Sequence, residues 1–478
     1  MSLPPLITAS DLCAAGRNPV VPFRIVLADG NELTMHQLLR ILPGKRIVGK
    51  GELGGRNVLA KLFVARDSAR HWAQEKSGIE ALHRAAVPTP KLIGAAPLSA
   101  GGHALLTEFL DSSETLAEAW ARQSENPPGN AAALAVLAPA LTVLGRMHFQ
   151  GLVHRDLHLG NFLRHQRELF VIDGDEVCAA SPGKPLDQRQ AIGNLAILLA
   201  QLPASWDSQQ VHLLAYYREG GAQLQADPQA LQAETSRVRA QRLNRFLAKT
   251  VRDCTLFSVH QRTGRFVAAV REQAPILAPL LAAPDVHIDH GALLKDGATC
   301  TVAKVGSADR PLTIKRYNLK NFRHALTRLW RPSRAWHSWR EGHRLRFLGI
   351  PTPAPLALIE ERIGPLRRRA WLITEFCSGP NLLDHLSADC EPPPEEASAI
   401  TSLFRSLHEL RISHGDLKAT NLLWHEGLVL VIDLDATVQH RSAAEHARAW
   451  RRDRARLLRN WPASSVLHRW FDNNLPAV

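Results

Sequence analysis

Several things are missing from this chain, and each absence removes a class of protein. Its six cysteines, Cys13, Cys178, Cys254, Cys300, Cys377 and Cys390, contain no C-x-x-C pair. That argues for reduced thiols in the cytosol and against a zinc site or a disulfide framework. The first twenty residues hold no basic stretch followed by an apolar run, so no secretory signal is expected. The most apolar segment, Ala131 to Leu144, holds Pro139 and is too short to span a bilayer. Acid is in deficit: 45 Asp and Glu stand against 58 Lys and Arg, a net charge of +13. Such a balance suits an anionic substrate, a membrane face or nucleic acid, and does not choose among them. At 478 residues and 45% apolar content the chain is globular, and too long for a single core.

What is present centres on Gly151 to Val177, GLVHRDLHLGNFLRHQRELFVIDGDEV. It reads as a tight loop carrying His154, Arg155, Asp156 and Asn161, then a short apolar strand ending at Asp173. Phosphoryl transfer needs one carboxylate to orient the attacking hydroxyl, with an amide and a second carboxylate to share the metal that bridges the nucleotide phosphates. HRDLHLGN fits the kinase loop pattern H-R-D-L-x-x-x-N at each fixed position. Asp156 is therefore the candidate catalytic base, and Asn161 and Asp173 the candidate Mg²⁺ ligands. His154 is expected to anchor the loop by hydrogen bonding.

The stretch occurs twice. His414 to Thr437, HGDLKATNLLWHEGLVLVIDLDAT, aligns without a gap at an offset of 260. His154 and His414, Asp156 and Asp416, Asn161 and Asn421, Asp173 and Asp433, and Asp175 and Asp435 coincide, as do His148 and His408 upstream. A spaced polar set repeated inside an apolar frame signals internal duplication. The expected fold is α+β: two tandem protein-kinase-like bilobal domains, each a small β-rich N-lobe and a helical C-lobe. Their expected limits are 1–280 (lobes about 23–109 and 110–274) and 281–478 (lobes about 285–376 and 377–478). Pro275 to Pro284, PILAPLLAAP, is the expected connection.

In the first unit, RIVGKGELGGRNVLAKLF (Arg46 to Phe63) reads as a hairpin whose glycines, Gly49 and Gly51 among them, let the backbone approach phosphates. Lys61 sits where the kinase strand lysine pairs the α/β-phosphates. Ser68 to Ala85 is helical in pattern, and Glu75 is the best-placed partner for Lys61, with Glu80 the competitor. Ala104 to Phe109 reads as a strand running into the linker where adenine sits. In the second unit Lys315 is the counterpart of Lys61, and WLITEF (Trp371 to Phe376) repeats ALLTEF. Glu341 is the expected ion-pair partner, nine residues before Ile350 where Glu75 falls twelve before Val87. Lys418 replaces His158 and can contact the transferred phosphate. The expected covering turn, Lys295 to Val305, has one glycine where the first unit has four, so the first unit is favoured as the catalytic one.

Between Lys320 and Arg346 basic residues interleave with Trp330, Trp336 and Trp339. They read either as a solvated helix face with core tryptophans or as a surface for anionic headgroups or a phosphorylated saccharide. No recognised nucleic-acid module surrounds them, so nucleic acid is not expected.

LxxMHFQGLVHRDLHLGNFL with VIDGD, LFRSLHELRISHGDLKATNLL with VIDLD, and ARLLRNW near Trp461 together resemble the lipopolysaccharide kinase (Kdo/WaaP, InaA-like) family of the protein-kinase-like superfamily. The resemblance runs from about Arg46 onward. It implies transfer of the ATP γ-phosphate to a heptose or Kdo sugar of the lipopolysaccharide inner core, with ATP and Mg²⁺ as cofactors. It also implies work at the cytoplasmic side of the inner membrane; peripheral contact there is what the headgroup-surface reading of 320–346 would supply. The alternatives are a kinase for protein or small-molecule hydroxyls, and a pseudokinase scaffold in envelope assembly. No A-P-E segment follows Asp173 or Asp433, so no activation-loop switch is expected.

Overall fold

The structure is a computed structural model, and it describes residues 3–123, 126, 128–222, 228–307, 310–318, 332–363 and 366–477. The chain forms two compact units, Met1–Ala240 and Gln241–Val478. Each combines an antiparallel sheet with a helical part, and the chain has a mixed helix-and-sheet, kinase-like fold.

In the first unit the sheet runs in the order Phe23–Val26, Glu32–Leu42, Arg46–Leu53, Arg56–Phe63, His103–Glu108, Leu92–Pro97. Period-two alternation fixes its two faces. Val58, Ala60 and Leu62 enter a core with Met35, Ile47 and Leu106, while Leu59 and Lys61 point into a cleft on the other side. The helix Ser68–Arg84 buries Glu75, Gly78, Ile79 and Leu82. The helical part is built around Ala131–Phe149, capped by the Asn130 side chain. Length and composition alone would let that helix cross a bilayer, but Val136, Leu137, Leu141 and Leu144 are locked in a core with Leu157, Leu159 and Phe162.

In the second unit the order is Phe257–Arg262, Arg265–Val270, Pro355–Ile363, Leu366–Glu375, Arg310–Tyr317, Cys300–Ser307, Ala292–Gly297. Five strands follow the first unit's order, and the extra ones are attached at opposite edges. This overturns the expected boundary near residue 280. The hairpin Phe257–Val270 pairs with Pro355–Ile363 and belongs to the second sheet. The supposed connector is the helix Ala274–Ala282, whose Leu277 and Leu280 pack on Ala269 and Ile359.

The tryptophans divide likewise. Trp339 is fully buried and donates Nε1–H to Thr250 O at 3.2 Å; Trp336 packs against Phe266 at 5.0 Å with the rings tilted by 45°, and Arg362 lies over its ring. Both serve the second core, so neither forms the expected headgroup surface. Trp330 lies outside the described residues.

Candidate active site

A short turn and a hairpin deliver the loop residues in each unit. After the strand Leu152–His154, a 3₁₀ turn over Leu159–Asn161 leads into Phe162–His165 and Glu168–Val171, which return the chain to Asp173. Asn161 Nδ2 donates to Asp156 O at 2.9 Å, and Asn421 Nδ2 does the same to Asp416 O. Asp173 (φ 62°) and Asp433 (φ 58°) are both left-handed. A non-glycine residue holds that conformation at a cost of about 1–2 kcal/mol, which the surrounding packing must offset.

In the first unit a charge network forms under the sheet. Lys61 Nζ donates to Glu75 Oε1 at 2.6 Å and to Asp173 Oδ1 at 2.7 Å. Arg46 reaches Asp175 at 3.0 Å and Glu75 at 3.4 Å, and Gly174 N–H donates to Glu75 Oε1. Burial works against the Lys61 charge, but Glu75 and Asp173 outweigh it and raise its pKa. Burial also works against the Asp173 carboxylate; Lys61, Arg46 and Arg40 overcome this and push its pKa down to about 2. Burial, with Asp175 and Asp173 adding to it, raises Glu75. The strand lysine thus stays an ammonium and Asp173 a carboxylate near neutral pH.

Two glycines permit this approach. A Cβ on Gly78 would lie 1.7 Å from Gly174 O, so the helix meets the segment after Asp173 only because neither carries a side chain there. Gly78→Ala is expected to push the helix outward and part Lys61 from Glu75. Cross-linking or hydrogen exchange at Ser68–Arg84 reads this, and protection like that of the wild type would contradict it.

The second unit lacks the glycine pair, and the expected Glu341 contact is absent. Val87 N–H donates to Leu82 O, and Ile350 N–H to Leu345 O. That shared link aligns the helices and puts Ser338 at the place of Glu75, Glu341 at that of Gly78, and Leu434 at that of Gly174. Glu341 pairs instead with Arg344 at 2.8 Å. Lys315 is held by Asp433 at 2.5 Å and Asp435 at 3.0 Å. Asp435 in turn accepts from Tyr317 Oη and Ser338 Oγ, each at 2.7 Å. Burial opposes the Lys315 charge, yet its neighbours raise its pKa.

The glycines Gly49 and Gly51 do not face the cleft. They lie inside Arg46–Leu53, where added Cβ atoms would meet Gln37 O at 2.2 Å and Thr34 O at 2.7 Å. In register Lys61 opposes Val48, which puts the Gly54–Gly55 turn about 20 Å along the strand from the lysine. The turn nearest the lysine is Leu42–Arg46, which carries Gly44. Its counterpart in the second unit, Gly297–Cys300, carries Gly297. One glycine each removes the ground for preferring the first unit.

Asp156 is exposed. Asp416 is flanked by Lys418 and Arg456, each at 3.1 Å, so Lys418 sits beside the candidate catalytic carboxylate. Two loop anchors escaped the sequence reading. Asn194 donates to His154 O at 2.8 Å and accepts from His154 N–H, while Asp453 accepts from His414 N–H (2.6 Å) and Gly415 N–H (3.1 Å). Each sits on the next helix about forty residues on, in no fixed motif.

Asn194 Oδ1 also accepts from His148 Nε2–H at 3.0 Å, and Tyr217 Oη donates to His148 Nδ1 at 2.8 Å. Burial pushes His148 down to about 4. A folded-state pKa below the unfolded value near 6.5 gives stability that is present above pH 6.5 and lost as pH falls toward 4. The loss amounts to about 3 kcal/mol. His148→Gln is expected to flatten that part of a denaturation-against-pH curve; an unaltered slope would contradict the assignment.

The clefts measure 490 Å³ in the first unit and 560 Å³ in the second, within the range of small-ligand sites. Mg²⁺ fits the donor set. Asn161 Oδ1 is buried without a hydrogen-bond partner, and oxygens of Glu75, Asp173 and Asp175 lie within 4.8 Å of one another. Hard oxygen donors of this kind suit that cation.

A sheet-borne lysine joined to a left-handed aspartate, above a loop of aspartate and asparagine, defines a kinase-like phosphotransferase. Comparison makes the class narrower. The sequence matches the lipopolysaccharide kinase (Kdo/WaaP) family over residues 60–217 and 295–472, most of its length, and the chain belongs to that family. It is 27% identical over 241 residues to the RIO-type serine/threonine-protein kinase Rio1 of Haloferax volcanii, covering 45% of this chain and 77% of that one. It is 35% identical over 81 residues to 3-deoxy-D-manno-octulosonic acid kinase of Mannheimia succiniciproducens, covering 17% of this chain and 34% of that enzyme. Among solved structures it is similar to WaaP in complex with acyl carrier protein (21% identity, TM-score 0.32, 44% of this chain and 86% of that one). It is also similar to the BubR1 kinase domain (12% identity, TM-score 0.32, 51% and 88%).

Proposed function

We propose that the chain is a tandem of two kinase-like bilobal domains that phosphorylates a heptose or Kdo sugar of the lipopolysaccharide inner core. ATP is the donor, and the work is done at the cytoplasmic face of the inner membrane. Family membership supports the acceptor class. The observation that carries the reading is Lys61 held between Glu75 and Asp173 over a cleft floored by Asn161.

Lys61 orients the α/β-phosphates and Glu75 and Asp173 fix its direction. Asp156 takes or orients the proton of the sugar hydroxyl. Asn161 and Asp173 would hold Mg²⁺, which when bound neutralises charge on the phosphates. Such a site works by positioning and by charge stabilisation. In the second domain Lys315, Asp416, Asn421 and Asp433 take the same parts, with Asp435 in place of the helix glutamate. Phosphate transfer measured for Asp156→Ala and Asp416→Ala singly assigns turnover to one domain or both. A protein hydroxyl is the second reading, favoured by the likeness to Rio1. Phosphorylation of a protein and not of core saccharide would establish it.

A further inference from the structure

We infer that Arg40 and Lys295 are the residues that grip the nucleotide's phosphates, in place of the backbone of a glycine-rich loop. The inference rests on the kinase reading above and concerns how its donor is held.

The first strand of each five-strand set carries the same irregularity. In the first unit Gly49 opposes Leu38 and Val48 opposes Arg40, so Leu39 is skipped. In the second, Ala303 opposes Leu293 and Val302 opposes Lys295, so Leu294 is skipped. Val48 and Val302 are in turn the partners of Lys61 and Lys315. One extra residue at the same register in both sheets is a β-bulge, the device that re-aims a side chain beside a site. Its effect is the same each time: the skipped leucine and the cation after it both line the cleft.

Leu39 and Leu294 are half exposed, 51% and 52%, as suits apolar covers for a base. Arg40 reaches toward Asp173, 3.9 Å away. Gly49 belongs to the same device, since a side chain there would collide with Gln37 O on the bulged strand. With a single glycine in each covering turn, two side-chain cations supply what backbone N–H groups supply elsewhere. A guanidinium or ammonium on a phosphate makes a charge-assisted hydrogen bond.

The test titrates the full chain with Mg·ATP, Mg·ADP and adenosine by calorimetry. Arg40→Ala/Lys295→Ala is expected to weaken ATP and ADP binding by about tenfold or more while leaving adenosine unchanged. Arg40→Lys/Lys295→Arg is expected to restore most of it, which a folding defect would not allow. Unchanged ATP affinity, or an equal loss for adenosine, overturns the inference while the kinase reading stands. A wild-type chain that binds none of the three overturns both.

Discussion

Asp156→Ala/Asp416→Ala is expected to lose about a thousandfold or more in phosphate transfer while binding Mg·ATP as the wild type does. General-base and orienting carboxylates contribute about 10²–10⁴-fold, and neither aspartate touches the strand lysine. Asp156 is exposed and Asp416 partly so, with Lys418 and Arg456 as its neighbours. Folding should therefore survive the change. Retained turnover in the stable double variant would refute the assigned role. Loss of nucleotide binding would move the aspartates to the donor side.

Lys61→Met is expected to have the largest effect on stability. It would leave Glu75 and Asp173 facing each other beneath the sheet, with Arg46 beside Glu75 and Arg40 beside Asp173 as the remaining cations. Breaking a buried pair by removing one partner costs about 3–5 kcal/mol. Chemical denaturation should show a loss of this size, and it should shrink on acidification as the freed carboxylates take up protons. Lys315→Met should cost less, because Tyr317 and Ser338 still donate to Asp435. Equal losses would contradict the difference between the two networks.

The loop geometry was legible because it is local. Asp156, Asn161 and Asp173, and their repeats, lie within a span whose spacing a single turn and hairpin fix. Lys61 and Glu75 were legible through alternation and helical length. Gly49 and Gly51 were misread because a sequence shows glycines but not which neighbouring strand crowds them; their reason is the close approach of Gln37 O and Thr34 O on the adjacent strand. Glu341 failed on helical phase. Three residues is near one turn, yet the shift of about 60° is enough to send it to Arg344 rather than Lys315. The domain boundary failed because Phe257–Val270 finds its partner strand some ninety residues on, beyond any local signal. Asn194 and Asp453 are likewise set by tertiary packing, not by a motif.

The central claim is best tested by incubating the full chain with Mg·ATP and dephosphorylated inner-core oligosaccharide and weighing the saccharide by mass spectrometry. The account predicts the gain of one phosphate on a sugar hydroxyl, absent with Asp156→Ala/Asp416→Ala. A saccharide of unchanged mass, from a chain that binds Mg·ATP, would contradict it.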